Sequence, residues 1–471
     1  MLTLGRIVAA LLSGALLAQS YGLHPFWPLA WIAPIPLLIA VMGATRLGAF
    51  LYGALAGALS TALMASYFLD LGGLAPTAII TLMKALIWGA IAFAVRGGAR
   101  HLPSWAAVLV FPTLMAGVEA LIAATSPHGS AGSLAYSQID FLPAIQVASL
   151  GGAPAIVFVL SAFASAVAFL TGKRAIAAAA PVVIVAAAIG FGFTRHLIDA
   201  RDEPLLEARE IGIALLAGDD LAFDAADWRP TWEGYVNEVS RAADDGARII
   251  VLPEKIVTLG EGQAQSALDD LAAIARQHHA TIVVGAVERQ GDVSFNRAYF
   301  VTAEGVRTYD KHHMIPGLES EFTPGTATLF TDVDGLRAGV VICKDMDFPA
   351  LSRRYGEQGA DLLLVPAWDF GVDGWLHSRM AVLRGVESGF TLIRSAREGV
   401  MTISDPYGQV LAEAPSGSDI ASLTDRSIIQ PRHVPTLYTR IGDAFGWFCA
   451  ALALVLIGWT ILARRRAGQG A

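Results

Sequence analysis

Apolar residues in this chain come in blocks, and the blocks decide its architecture. Residues 1–197 hold long uncharged stretches, residues 205–435 mix charged and apolar positions, and residues 442–463 are apolar again. A helix that crosses a bilayer needs about 20 apolar residues, because lipid offers no partner to its backbone N–H and C=O groups. Stretches at roughly 6–22, 27–43, 47–69, 75–95, 104–124, 145–170, 175–195 and 442–463 meet that demand, which predicts about eight transmembrane helices. The first two are short and joined by the turn-prone Gly22-Leu23-His24-Pro25, so they read as a pair that need not cross fully. Arg6 followed by an apolar run resembles a leader peptide, but a second run follows at once and predicts a retained anchor. With 54% hydrophobic and 16% charged residues overall, the chain reads as a membrane protein with one large extramembrane domain.

Loop charges orient the bundle. Arg6, Arg46, Arg96 with Arg100, Lys173 with Arg174, and Arg464-Arg465-Arg466 fall on one side if the segments alternate, while loops 22–26, 70–75 and 125–144 carry no Lys or Arg. The positive-inside rule makes the basic side cytoplasmic. It places 205–435 on the outer face and 464–471 as a basic cytoplasmic tail. Lys84 and Glu119 lie within spans, where an ionisable side chain pairs inside the bundle, faces a wet crevice or serves function. The small residues Gly53, Gly57 and Ser60 read as a helix-packing face.

The net charge of -8 and the lack of a dense basic face exclude nucleic acid as a partner. The two cysteines are Cys343 and Cys449, and the second lies in the last apolar span, so no disulfide between them is expected. About 230 residues are ample for a core without one. Within 205–435, strands are expected at 210–216, 248–253, 281–288, 297–303, 336–343, 361–366 and 391–395. Helical patterns fall at 228–245, 264–279, 349–359 and 376–388. This alternation predicts an α/β layered fold, with mixed pairing where Gly305 turns a hairpin.

Three strand ends carry complementary chemistry. Glu254 follows Val251-Leu252-Pro253, Lys311 follows Tyr309-Asp310, and Cys343 ends the run Val340-Val341-Ile342. A carboxylate base, an ammonium and a thiol are what nucleophilic attack on a carbonyl requires, with the Lys344 backbone N–H as a second oxyanion donor. Singly, a strand-end cysteine is usually core and a loop Glu or Lys is usually solvated. The pairs His278-His279 and His312-His313 lack a matching carboxylate spacing, so they read as surface or pocket lining, and no metal or organic cofactor is expected.

Together the three resemble the Glu-Lys-Cys triad of the nitrilase, or carbon–nitrogen hydrolase, superfamily, and the whole chain resembles its membrane branch, the apolipoprotein N-acyltransferase family. Leu252-Pro253-Glu254, Phe295-Asn296-Arg297, Tyr309-Asp310-Lys311-His312-His313-Met314-Ile315-Pro316 and Ile342-Cys343 carry the likeness. Gly359-Ala360-Asp361, Arg384-Gly385-Val386-Glu387, Asp405-Pro406-Tyr407-Gly408 and, in the membrane part, Tyr136-Ser137-Gln138 extend it. The resemblance implies an αββα sandwich beside the helical bundle, with Glu254, Lys311 and Cys343 catalytic. Glu319, Lys344, Asp345, Trp228, Asn296 and Trp368 are then expected to support substrate or transition state. It also implies a monomer in a bacterial inner membrane with its catalytic domain outside the cytoplasm. An acyl chain would pass from a phospholipid, through a thioester, to a lipoprotein or other amine acceptor.

The sequence departs from the family where Lys344-Asp345 replaces Tyr-Glu, where Ala217-Gly218-Asp219-Asp220 replaces Asn-Ile-Pro-Gln, where Trp368-Asp369-Phe370-Gly371 replaces its counterpart, and where no arginine follows Glu119. A membrane-tethered amidase, and a non-enzymatic transporter or scaffold using Lys84 and Glu119, are the competing readings.

Overall fold

All eight apolar stretches are helical in the computed structural model, which describes residues 3–171, 175–202, 209–220, 222–425, 428–429 and 433–469. Lys173, Arg174 and the expected domain start at 205 lie outside the described residues. Six helical segments among the described residues are long and apolar enough to span a bilayer: Arg46–Gly72, Leu74–His101, Ser104–Thr125, Ala153–Leu170, Ala175–Arg195 and Ala444–Ala467. The first two stretches form the shorter helices Leu4–Ser20 and Trp27–Met42, which accounts for the difference from about eight. The stretch read as 145–170 is broken, with Leu142–Gly151 separate and Pro154 opening the long helix.

The chain divides into two units, one holding Met1–Thr125, Gly132–Ile198 and Ile441–Ala471, the other Ser126–Ala131 and Asp199–Arg440. In the first, Gly53 and Gly57 let the helix Arg46–Leu59 press against Leu74–His101. A Cβ on Gly53 would stand 2.3 Å from the Trp88 carbonyl oxygen, and one on Gly57 2.4 Å from that of Lys84. Small residues admit this approach, the usual means of association where lipid removes the hydrophobic drive. The Lys84 ammonium lies 3.5 Å from the Tyr21 ring centroid, and Glu119 Oε1 accepts from the Leu134 N–H at 3.3 Å.

The second unit holds two large sheets packed face to face. One is seven-stranded, with Ala421–Asp425, Ile213–Ala217, Ile249–Val251, Thr281–Gln290, Val293–Thr302 and Gly305–Asp310 in spatial order and Thr258–Leu259 paired to the fourth. The other is six-stranded, with Val410–Pro415, Val400–Ser404, Thr391–Arg397, Leu362–Trp368, Leu336–Val340 and Leu329–Val333 in order. Ile213–Ala217 and Thr391–Arg397 are buried along their whole lengths, as parallel strands covered on both faces must be. The Ser395 hydroxyl donates to the Leu216 carbonyl at 2.8 Å and the Glu254 N–H to that of Ala367 at 3.2 Å, tying the sheets together. Helices Arg229–Asp244 and Gln263–His278 cover the first sheet; Pro349–Glu357 and Gly374–Ser388 cover the second. The hairpin at Gly305 is antiparallel, with Thr302 opposite Gly305.

Candidate active site

Parallel strands deliver their C-terminal ends to one edge of a sheet, and the site is assembled there. Glu254 follows Ile249–Val251 by three residues, Lys311 follows Gly305–Asp310 at once, and both are buried. Their side chains meet: Lys311 Nζ donates to Glu254 Oε1 at 2.8 Å. The same ammonium donates to both oxygens of Glu319, at 3.0 and 2.8 Å, and the Ile315 N–H fixes Glu319 Oε2 at 2.9 Å. Asn296 Nδ2 bridges the carboxylates, 2.5 Å from Glu254 Oε1 and 3.1 Å from Glu319 Oε1. Both of these donors to Glu254 use Oε1.

Burial alone would raise Glu319, but Lys311 and Lys255 hold it near 2. Burial alone would lower Lys311; Glu254, Cys343 and Glu319 instead drive it above the ordinary lysine range. The two carboxylates thus favour the ammonium form of this lysine.

Cys343 departs from the expected strand. The strand stops at Val340, and Cys343 opens a 3-10 turn, Cys343–Asp347, with φ at +42°. A non-glycine residue in the left-handed region costs about 1 kcal/mol or more and persists only where its surroundings impose it. Asp345 is what imposes it here. Its buried carboxylate accepts from the Ile342 N–H at 3.1 Å, the His312 N–H at 3.2 Å, the His313 N–H at 2.9 Å and the Tyr309 hydroxyl at 2.8 Å. It thus clamps the residue before the thiol to the residues after Lys311. The Cys343 thiol points to the Trp368 carbonyl oxygen, 3.3 Å away. Burial pushes the thiol well above its usual range and Glu254 pushes it further, against the pull of Lys311. Both effects favour the neutral thiol.

Lys344 turns from the thiol toward Asp347 Oδ2 and His128 Nδ1, each 3.3 Å away. His128 belongs to Ser126–Ala131, a strap from the N-terminal half of the chain. Ser130 donates its N–H and its hydroxyl to the Asp347 carbonyl oxygen, both at 2.8 Å. Trp228 packs into the core beside Trp232, ring centroids 6.1 Å apart, and does not join the cluster. Phe223 instead lies against the Trp368 ring at 5.3 Å.

Sequence reasoning missed Lys255, Asp369, Arg394 and His377. Lys255 Nζ donates to Glu319 Oε1 at 2.6 Å. Asp369 Oδ1 accepts from Arg394 at 2.5 Å and faces His377 Nδ1 at 3.2 Å. An arginine inside the apolar strand Thr391–Arg397 was the available signal, since a buried guanidinium demands a carboxylate.

Family comparisons agree with this two-part build. Residues 212–430 match the carbon-nitrogen hydrolase model and residues 13–166 match the apolipoprotein N-acyltransferase N-terminal domain. The chain is 27% identical to an apolipoprotein N-acyltransferase of Geobacter metallireducens over 95% of its length and 94% of that protein's, and 25% identical to one of Vibrio vulnificus over 97% of both. An (R)-stereoselective amidase of a Pseudomonas species is 29% identical over 38% of this chain and 73% of its own. An amidase structure from a Nesterenkonia species, 21% identical with a TM-score of 0.42, covers 51% of this chain and 95% of that one. An N-acyltransferase-type membrane half joined to a carbon–nitrogen hydrolase half, matched nearly end to end by relatives of that build, makes this chain an enzyme of the apolipoprotein N-acyltransferase family, the membrane branch of the nitrilase superfamily.

Proposed function

We propose that the protein transfers an acyl chain from a phospholipid to the α-amino group of a lipid-modified N-terminal cysteine, through a thioester on Cys343. Glu254 Oε2 takes the thiol proton as sulfur attacks the ester carbonyl. Lys311 and the Lys344 N–H, one of the first N–H groups of a 3-10 turn and so without a partner inside it, receive the oxyanion. The ester C–O bond breaks, and the proton leaves on the lysolipid hydroxyl. In the second half the amine attacks the thioester and Glu254 takes its proton; the C–N bond forms, the C–S bond breaks, and that proton passes to the departing sulfur to restore the thiol. A two-chain donor leaves the bilayer only at large cost, so a membrane-anchored enzyme suits it. The loop arginines favour a cytoplasmic basic side and a catalytic domain outside it.

The observation that carries this reading is the hydrogen-bonded contact of Lys311 with Glu254 beside a buried thiol in left-handed backbone. Intact-mass measurement after incubation with phosphatidylethanolamine vesicles tests it. A gain of one acyl chain is expected on the native protein and not on Cys343→Ser; equal masses in both would refute it. The likeness to an amidase and the Lys344-Asp345 pair favour a second reading, hydrolysis of an amide with water as acceptor. Rapid turnover of small amides with no lipid-derived mass would select it.

A further inference from the structure

The triad does not account for Lys255. Its backbone lies at φ +50°, a conformation that a lysine adopts only under constraint. That turn sends the side chain back to Glu319 at 2.6 Å and within 3.9 Å of Glu254. Three rings surround the ammonium, with centroids at 5.0 Å for Trp368, 5.6 Å for Phe322 and 6.0 Å for Phe223. Aromatic faces attract a cation, most strongly when it is desolvated, and Lys255 is only 8% exposed. A long flexible side chain held this way is not a solvated surface lysine.

Charge counting assigns it a task. Glu254 and Glu319 face Lys311 and Lys255, so the cluster is neutral while the thiol keeps its proton. From the other sheet, Asp369 and Arg394 form a pair, with His377 on the same carboxylate. Arg397 lies 4.2 Å from the Trp368 centroid, and Tyr309 and His313 are taken by Asp345. Without Lys255 the cluster would carry one negative charge, and a thiolate would add a second. Lys311 would then be the one ammonium among the described residues hydrogen-bonded to both carboxylates, with Arg397 acting on Glu254 only through its charge.

We propose that Lys255 is a positioning residue of this site, which neutralises Glu319 and so keeps the Lys311 ammonium available to the Cys343 thiolate and the oxyanion. The inference rests on the reading of Cys343 as nucleophile, and its test separates the two. The full-length protein in detergent, carrying Cys449→Ser so that one thiol remains, is alkylated with iodoacetamide across a pH series. Lys255→Met is expected to raise the midpoint of alkylation by about one pH unit, the scale of an added like charge nearby. Lys255→Arg should hold the parent midpoint. Lys255→Met combined with Glu319→Gln, which removes the charge along with its counter-charge, should bring the midpoint back. A purely structural lysine would show no such restoration. A midpoint unmoved in Lys255→Met, or moved equally in the double variant, overturns the proposal. Cys343→Ala, which leaves no thiol, sets the background. A parent that alkylates no faster than this background at any pH sinks the nucleophile reading and this inference with it, whereas a parent that alkylates normally with an unmoved midpoint in Lys255→Met sinks the inference alone.

Discussion

Two buried charge clusters flank the Cys343 thiol, and they differ in how their charges are shared. In the first, Lys311 donates to both Glu254 and Glu319, and Lys255 donates to Glu319 again. Lys255 also stands 3.9 Å from Glu254, so under the proposed mechanism Glu254 exchanges its proton with both ammoniums already in place. In the second, Asp369 is fixed by Arg394, whose guanidinium does not deprotonate in proteins, with His377 on the same oxygen. Burial and pairing are common to both. What separates them is the direction of sharing: in the first, one ammonium serves two carboxylates, and in the second, one carboxylate serves a guanidinium and an imidazole.

Glu254→Gln breaks that comparison most forcefully. It keeps the shape and the accepting oxygen but cannot take a proton, so acyl transfer should fall about 10³-fold, within the range of a lost general base. Its melting temperature should change little beside that loss. Transfer within tenfold of the parent would show that the first cluster handles no proton.

Asp369→Asn probes the other side. It leaves the Arg394 guanidinium, 2% exposed, without its anion, and breaking a buried pair costs about 3 kcal/mol or more. Thermal denaturation should record that loss, with the pH midpoint of Cys343 alkylation displaced far less than in Lys255→Met. Unchanged melting with abolished transfer would reverse the assignment of the two clusters.

Some of this was legible in the chain and some was not, for physical reasons. Glu254 and Cys343 each follow an apolar run, so their positions close to strand ends could be read locally, whereas Lys311 follows the largely exposed strand Gly305–Asp310. That Lys311 touches Glu254, 57 positions away, depends on sheet order, which no local pattern reveals. Asp345 read as support for substrate, yet its carboxylate is consumed by backbone N–H groups of the turn and the lysine loop. Lys255 was hidden because its direction depends on one left-handed residue. Trp228 read as support for substrate, yet it packs in the apolar core. The helices were easier, since hydropathy alone marks them, though length separates six spans from the two short ones. The strap was beyond reach, because Ser130 meets Asp347 across 217 positions.

That strap permits a finer cut. Gly129 lies at φ +52°, and a Cβ there would stand 2.3 Å from the Asp347 carbonyl oxygen. Gly129→Ala must displace the turn that carries Cys343, at a cost above about 1 kcal/mol, which predicts acyl transfer slowed roughly tenfold. Ser130→Ala removes one of two donors to the same oxygen and should slow transfer only about threefold. If both variants match the parent, the turn is held by Asp345 alone.

The smallest expected effect separates the clusters by pH. Burial would lower His377, but its bond to Asp369 and the charge of Asp373 raise it to about 9. A group whose native pKa is raised stabilises fully below its unfolded value, about 6.5, and that contribution drains as pH climbs to about 9. Glu319 runs the other way: held near 2, its contribution is complete above about 4.3 and is lost only as pH falls toward 2. Mild alkali should therefore loosen the Asp369 cluster while leaving the Glu319 cluster intact. The melting-temperature gap between the parent and His377→Gln is expected to be widest near pH 6 and to close by pH 9 to 10. A gap constant across that window would mean that His377 holds no extra proton in the folded state, and the second cluster would then consist of Asp369 and Arg394 alone.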